Sequence, residues 1–242
     1  MGMSSSLATG IRSALALTAL AVLVSGCASA PGSTPPSGVD VSDAPPVHTQ
    51  LDDLAAAWLA DGRSIAIVTW GSSTPTCRPS QIETDADGQE LTVTLHDHPE
   101  ASKECTDDLV PRAEQIMVPE GVDVTRDVTL KIQHEKNSGT VTLPALTGDL
   151  PSTDEYGASA GWFADDGIVL LTYGSSSCRP HVDNVTLTDG GATVALSSST
   201  GMCTMDMAPR LTPVVLPEAV DRDADFELTL TGEVDATIGV LG

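Results

Sequence analysis

The segment WGSSTPTCRP at residues 70–79 returns further along the chain as YGSSSCRP at residues 173–180. A second shared segment begins at a cysteine: residues 105–112 read CTDDLVPR, and residues 203–210 read CTMDMAPR. From residue 105 to residue 123 the offset between the copies stays at 98, and 9 of these 19 positions are identical. Self-similarity of this kind is the signature of a repeated structural unit. The sequence therefore predicts two tandem copies of one module. We expect the equivalent positions to face the core of their own module, with a smaller core residue beside the larger Phe226: Val128 and Phe226, Leu130 and Leu228, and Ile132 and Leu230.

Both copies carry the alternating pattern of half-buried strands. Apolar residues recur at every second position in four segments, residues 91–95, 128–132, 194–196 and 226–230. Residues 65–70 and 168–173 are more continuously apolar and predict central strands. The Asp-Gly pairs at residues 87–88 and 189–190 are typical of hairpin turns. We therefore expect an all-β protein made of two small β-sandwich domains of the immunoglobulin-like kind, each with one disulfide.

The composition divides the chain into five predicted parts. These are a signal peptide at 1–26, a lipidated cysteine with a flexible tether at 27–50, a first module at 51–143, a linker at 144–159 and a second module at 160–242. Residues 51–59 are compatible with a short helix. The linker is polar and contains proline, so we expect few apolar contacts between the modules and some freedom in their relative orientation.

The first residues of the chain resemble a secretory signal. Arg12 precedes the apolar run ALALTALAVLV at residues 14–24, which is too short to span a bilayer as a helix. The run ends in VSGC at residues 24–27, which resembles the lipobox of bacterial lipoproteins. That resemblance implies a diacylglycerol on Cys27 and a lipid-anchored protein at the extracytoplasmic face of the cell membrane.

The segment after Cys27 and the overall charge restrict the partners. Residues 28–50 are rich in Pro, Ser and Gly and cannot bury a core, so they predict a disordered tether. The chain has 34 acidic and 11 basic residues and a net charge of -23. Such a charge repels phosphate backbones and excludes nucleic-acid binding. It also argues against a polybasic membrane patch, leaving the lipid anchor as the predicted membrane contact.

Five cysteines divide into one and four. With Cys27 used by the lipid, the other four allow three pairings. The symmetry of the repeat selects Cys77–Cys105 and Cys178–Cys203, one bridge in each module. Export beyond the membrane places these cysteines where disulfides persist. The spacings lack a CxxC pair, so a structural role is favoured over a metal or redox site.

The polar residues that both copies share are the candidate functional residues. The shared pairs are Ser72 and Ser175, Ser73 and Ser176, Arg78 and Arg179, Asp108 and Asp206, and Arg112 and Arg210. A Gly-Ser-Ser turn could expose a nucleophile, but nucleophilic catalysis needs an oriented base, and the copies share no histidine. We therefore interpret the turn as the end of a central strand that shapes the loop into the disulfide.

The shared aspartates and arginines have two interpretations. Asp108 with Arg112, and Asp206 with Arg210, could form ion pairs that brace the loop after the second cysteine. Alternatively, the repeated arginines could bind an anionic group in a repeated pocket. Bracing is the favoured prediction, because tandem copies keep the residues of the fold before those of a ligand site.

Two segments that contain histidine or acidic residues are candidate metal sites. His96-Asp97-His98, with Glu100 and Glu104 near in sequence, could hold a divalent cation. The second copy has serines at the same place, and only two histidines are close in sequence. The segment DRDAD at residues 221–225 lacks the glycine and the final glutamate of a calcium loop. The prediction is that the chain has no metal site and no cofactor.

The tandem (Trp/Tyr)-Gly-Ser-Ser-x-Cys-x-Pro motif behind a lipobox resembles a group of secreted actinobacterial lipoproteins of uncharacterised function. The resemblance implies the location and a duplicated domain, and it implies no activity. In the first copy Cys77 lies two residues further from Gly71 than Cys178 lies from Gly174. The leading prediction is a non-enzymatic module that binds another envelope protein or polymer. The alternatives are an envelope hydrolase using residues near the Gly-Ser-Ser loops and a weak cation-binding protein.

Overall fold

A computed structural model describes the part of the chain that contains both repeats. It covers residues 54–98, 105–135, 137–148, 153–198, 201–222 and 225–242. The predicted signal peptide, Cys27 and the tether up to residue 50 lie outside the described residues, as do Glu100 and Glu104. Within the described ranges, no helix combines the length and the apolar character that crossing a bilayer requires.

The described ranges form fourteen strands and two single 3-10 turns, which confirms the prediction of an all-β protein. The first copy contains β1 Leu54–Leu59, β2 Ser64–Gly71, β3 Pro79–Asp87, β4 Glu90–Asp97, β5 Val110–Met117, β6 Val128–His134 and β7 Asn137–Leu143. The second contains β8 Ser159–Ala164, β9 Gly167–Gly174, β10 His181–Thr188, β11 Gly191–Ser197, β12 Ala208–Val215, β13 Glu227–Gly232 and β14 Ala236–Leu241. The turns are Ala60–Gly62 and Pro75–Cys77.

The sheet order of the first copy is repeated in the second. β2 lies between β1 and β5, and β9 lies between β8 and β12, so both predicted central strands are central. The remaining strands form the orders β3-β4-β6-β7 and β10-β11-β13-β14. In the second copy β14 also pairs with β8 over two residues and joins both sheets into one. The β4–β6 and β11–β13 pairs are parallel, which departs from the wholly antiparallel sheets of immunoglobulin domains.

Both predicted Asp-Gly turns are confirmed as hairpins. The first joins β3 to β4 and the second joins β10 to β11, each in antiparallel register. Gly88 has φ of 62° and Gly190 has φ of 78°. Only glycine adopts this left-handed region at little steric cost, and the turn that requires it sets the register of each hairpin.

Each copy has a main apolar cluster of its own, and Leu241 of the second copy also belongs to the cluster of the first. In the first copy Ile65 and Ile67 of β2 belong to the same cluster as Leu130 and Ile132 of β6, and all four are almost fully buried. The predicted equivalent core positions are buried in both copies: Val128 with Phe226, Leu130 with Leu228, and Ile132 with Leu230. The predicted strand register is therefore confirmed, since a slip of one residue would expose all of them.

The exchange of Val128 for Phe226 is compensated nearby. Phe226 packs edge-to-face on Trp162, with ring centroids 5.0 Å apart. In the neighbouring strand β11, Ala192 occupies the position that Leu91 occupies in β4, and it belongs to the same cluster as Phe226. A larger side chain beside a smaller one keeps the total volume of a close-packed core. Ala192 therefore provides the space that the larger Phe226 needs.

A third apolar cluster joins the two copies. It contains Ala66 and Val68 from the first copy and Val169 and Leu171 from the second, all fully buried. Trp70 of β2 packs edge-to-face on Phe163 of β8, with ring centroids 5.8 Å apart. The expectation of few apolar contacts between the modules is therefore wrong. The strands β1-β2-β5 and β8-β9-β12 pack through their second faces, so the central strands β2 and β9 are apolar on both sides.

The same packing overturns the prediction of a short helix at residues 51–59. The described part of this segment is strand β1, which pairs with β2 from Leu54 opposite Thr69 to Leu59 opposite Ser64. Trp58 faces the core of its own module, whereas Leu59 belongs to the cluster between the modules. A strand buried on both faces lacks the polar alternation that distinguishes it from a short helix.

Candidate functional site

The two predicted disulfides are present. Cys77 is bonded to Cys105 and Cys178 to Cys203, with Cα atoms 5.8 Å and 5.5 Å apart. Each bridge lies within one copy of the repeat. Each ties the loop after the central strand to the loop before the last strand of the three-stranded sheet. Each bridge therefore anchors the C-terminal end of a Gly-Ser-Ser loop to a neighbouring loop.

A buried arginine braces each disulfide loop through backbone carbonyls. Arg112 is 6% exposed, and its Nη1 donates to the Cys77 carbonyl at 2.6 Å. Arg210 is 4% exposed, and its Nη1 donates to the Cys178 carbonyl at 2.8 Å. The Nη2 of each arginine donates to the carbonyl of the aromatic residue before the motif glycine. These bonds fix the first cysteine of each bridge against the end of the central strand.

The bracing role was predicted, but with the wrong partner. In the described structure Asp108 does not pair with Arg112, and Asp206 does not pair with Arg210. Both arginines donate to backbone carbonyl oxygens instead. In the second copy Arg210 makes an additional ion pair at 2.6 Å with Glu233, which follows β13. Burial lowers the pKa of Arg112 from its ordinary value, and the carbonyl bonds compensate the desolvated guanidinium.

The glycine of the repeated motif is required by this arginine. A Cβ atom at Gly71 would lie 2.6 Å from Cζ of Arg112, and one at Gly174 would lie 2.7 Å from Cζ of Arg210. Both distances are far below an ordinary contact, and hydrogen bonds hold the guanidinium where it is. The glycine that follows the aromatic residue in the motif therefore leaves space for the buried guanidinium group.

The repeated aspartates hold the Gly-Ser-Ser turns. Asp108 accepts a hydrogen bond from the Ser73 amide at 3.1 Å and a short one from the Thr106 hydroxyl. Asp206 accepts the equivalent bonds from the Ser176 amide, at 3.1 Å, and from the Thr204 hydroxyl. Hydrogen bonds hold the pKa of both carboxyls at about 2, and the largest contribution comes from the Ser73 side chain for Asp108 and from the Thr204 side chain for Asp206.

Thr106 and Thr204 are structural residues that the sequence analysis did not single out, although both lie in the repeated Cys-Thr pair. Each hydroxyl joins the aspartate to the serine turn. Ser72 Oγ lies 2.8 Å from Thr106 Oγ1, and Ser175 Oγ lies 2.8 Å from Thr204 Oγ1. Among the described contacts, the Ser72 hydroxyl bonds to the Thr106 hydroxyl and to backbone amides, and the Ser175 hydroxyl bonds to other hydroxyls. These contacts provide no base for a nucleophile.

The other repeated arginines meet in one place. Arg78 and Arg179 both line a cleft with a volume of about 530 Å³ that residues of both copies form. Ser73 and Ser176 of the two Gly-Ser-Ser turns also line it. Equivalent loops follow the equivalent strands β2 and β9, and these strands pack in the shared cluster. The sequence repeat thus brings two copies of one polar motif to a single site.

No protein-family model, curated protein or solved structure matches this chain in comparisons with all three. The site is therefore interpreted from its own chemistry.

The two halves of the cleft are not identical, and one difference is the strand residue beside the arginines. Glu114 on β5 lies 3.7 Å from Arg78, and its counterpart on β12 is Thr212. Burial raises the pKa of Glu114, whereas the nearby charges of Arg78 and Arg112 lower it. Thr212 and His181 line the cleft in the second copy. Neither Thr212 nor His181 was singled out from the sequence, because neither is shared between the copies.

The histidine segment of the first copy is engaged in pairs between strands. His134 Nε2 lies 2.7 Å from Asp97 Oδ1, and His96 Nε2 lies 3.8 Å from Glu83 Oε1. In the described part of the chain, His, Cys, Asp and Glu side chains nowhere gather in a group of three or more that could hold a metal ion. His96 and Asp97 thus contribute to contacts within the four-stranded sheet.

Proposed function

We propose that this protein is a lipid-anchored module at the extracytoplasmic face of the cell membrane that binds an envelope protein or polymer without catalysing a reaction. The observation that carries the proposal is the cleft in which both repeated polar loops meet. Buried arginines and disulfides hold these loops rigid, which reduces the entropic cost of binding. A concave surface between two modules, with a few polar groups beside apolar ones, is a common type of ligand site.

The lipobox at residues 24–27 supports the membrane location in this proposal. Substituting Cys27→Ala removes the thiol that would carry the lipid, so the variant is expected in the aqueous phase of a detergent partition. Ser25→Ala keeps a small residue before the cysteine, serves as the matched control and is expected in the detergent phase with the wild-type protein. Wild-type protein in the aqueous phase would contradict the lipid anchor.

The binding role is tested by crosslinking in native envelopes. A photo-crosslinking amino acid replaces Ser176, which is exposed and lines the cleft. The control carries the same amino acid at Asp189, in the exposed turn between β10 and β11. The expected result, read by mass spectrometry, is a defined adduct from the Ser176 position that the Asp189 position does not give. The same adducts from both positions would refute binding at the cleft.

The hydrolase alternative receives no support from the described contacts of the Gly-Ser-Ser turns. A hydrolase needs a base within hydrogen-bond reach of its nucleophile. The hydroxyls of Ser72 and Ser175 instead form part of the network that holds the loops. In the proposed function Ser72 and Ser175 therefore shape the loops.

We also propose that each module is a β-sandwich of the immunoglobulin-like kind. A cluster shared by two sheets in each copy supports it, whereas the parallel pairs β4–β6 and β11–β13 count against it. A crystal structure with unambiguous strand tracing tests the assignment. Sheets that close into one barrel in either module would contradict it.

A further inference from the structure

We propose that the cleft between the two modules binds an oxyanion, a carboxylate or phosphate group, through Arg78 and Arg179. This inference rests on the proposed function, because it names the chemistry of the ligand that the cleft would take. The guanidinium group matches both kinds of anion with parallel hydrogen bonds.

The charge of the cleft is opposite to that of the chain as a whole. Acidic residues outnumber basic ones by 34 to 11 in the sequence. Among the described residues that line the cleft, by contrast, there are two arginines and one histidine, and none is Asp or Glu. Cationic groups concentrated in a concave site focus the local potential and favour an anion there. The net charge of -23 of the whole chain disfavours polyanions, so a single small anionic group is the favoured ligand.

A buried polar group without a partner supports the site independently. Thr212 lines the cleft and is 8% exposed, and within the described structure its hydroxyl has no hydrogen-bond partner. Leaving a buried hydroxyl without a hydrogen-bond partner destabilises the folded protein. An oxyanion in the cleft would accept the hydrogen of this hydroxyl and remove the penalty. The equivalent residue in the first copy is Glu114. The second copy therefore has a hydroxyl where the first has a carboxylate.

Three carboxylates of the repeated loops and the strand beside them already have charged or hydrogen-bonding partners. Glu114 lies 3.7 Å from Arg78 and offsets part of its charge. Asp108 and Asp206 accept hydrogen bonds from the amides of the serine turns and from Thr106 and Thr204. Their negative charges are thus compensated by donors inside the loops.

The size of the cleft limits the ligand. A volume of about 530 Å³ lies within the usual range of small-molecule sites. Leu211 and Pro213 add apolar surface beside the polar groups. The ligand is therefore a small molecule, or the end of a polymer, that carries a carboxylate or phosphate next to a less polar part.

The test uses the full-length protein in an uncharged maltoside detergent and follows the Nε–H signals of its arginines by NMR. Inorganic phosphate and succinate are the two anionic probes, and glycerol is the neutral control. The expected result is a saturable shift of the Arg78 and Arg179 signals with at least one anion and none with glycerol. The tighter of the two anions identifies the class of ligand.

Substitutions locate the binding. Arg179→Gln and Thr212→Val each are expected to weaken the anion about tenfold, the effect of losing one hydrogen bond to a charged group. Arg126→Gln makes the same chemical change at an exposed residue outside the cleft and is expected to leave the affinity unchanged. Each variant is first compared with wild type by circular dichroism, and Arg179→Lys, which keeps the charge, is expected to recover part of the affinity.

Two results would overturn the proposal. One is the absence of saturable binding for both anions, with dissociation constants above about 10 mM. The other is an equal loss from Arg126→Gln and Arg179→Gln, which would indicate nonspecific attraction. Anion binding without adducts at Ser176 in envelopes would leave the site intact and refute the proposed binding role. Adducts without anion binding would refute only the ligand chemistry.

Discussion

Leu171→Ala tests whether the two modules share one folded unit. Leu171 is fully buried in the cluster between the modules, in the central strand β9. Replacing a buried leucine with alanine costs about 2–5 kcal/mol of unfolding free energy, and the cost rises with the cavity that remains. The cluster around it contains the small side chains of Ala57, Ala66 and Ala113, which cannot move into the space. We therefore expect a loss in the upper half of that range, about 3–5 kcal/mol.

The measurement combines guanidinium unfolding with hydrogen exchange read by mass spectrometry. Because the cluster joins both modules, Leu171→Ala should speed amide exchange in β2 of the first module as well as in β9. Val215→Ala removes an apolar side chain that is 53% exposed and should change the stability by less than about 0.5 kcal/mol. A loss below about 1 kcal/mol, or unchanged exchange in β2, would refute a shared core.

Three further predictions concern the loops. Replacing Cys77 and Cys105 with serine should cost about 3.5 kcal/mol by equilibrium unfolding, given their separation of 28 residues; an unchanged midpoint would contradict this. The folded pKa of Asp108, about 2, lies below the ordinary 3.8, so its contribution to stability is complete above about pH 4 and disappears as the pH falls towards 2. Asp108→Asn should therefore flatten the acid side of the stability profile, and a profile identical to wild type would exclude this role. Gly174→Ala should cost about 2–3 kcal/mol by displacing the guanidinium beside it, whereas Gly201→Ala, with open space around it, should be neutral by the same assay.

Features determined by local patterns were predictable from the sequence. The turns at Gly88 and Gly190 need a left-handed residue, and the strands around them need alternate apolar positions, so both leave a signature in neighbouring residues. The disulfides followed from the repeat, because equivalent cysteines in two copies of one fold must have equivalent partners. The compensation of Phe226 by Ala192 followed from the close packing of cores.

The partners of the repeated arginines were not predictable in the same way. Arg112 and Arg210 donate to backbone carbonyls, which every residue carries and which leave no mark in a sequence. A nearby aspartate in the chain therefore suggested an ion pair that the fold does not form. The motif glycines Gly71 and Gly174 are the sequence signal of this arrangement, since each leaves space for a guanidinium group.

The sequence by itself determined the all-β class, the duplication of one module, the two bridges and the register of the core strands, because these depend on spacing along the chain. Only the tertiary structure decided that the modules pack through a shared apolar cluster and that Arg78 and Arg179 face one cleft. The continuously apolar segments at residues 65–70 and 168–173 were compatible with any partner that covers their second face. The physical reason is that hydrophobic burial is non-directional: it requires that a surface be covered, and shape complementarity in three dimensions selects what covers it.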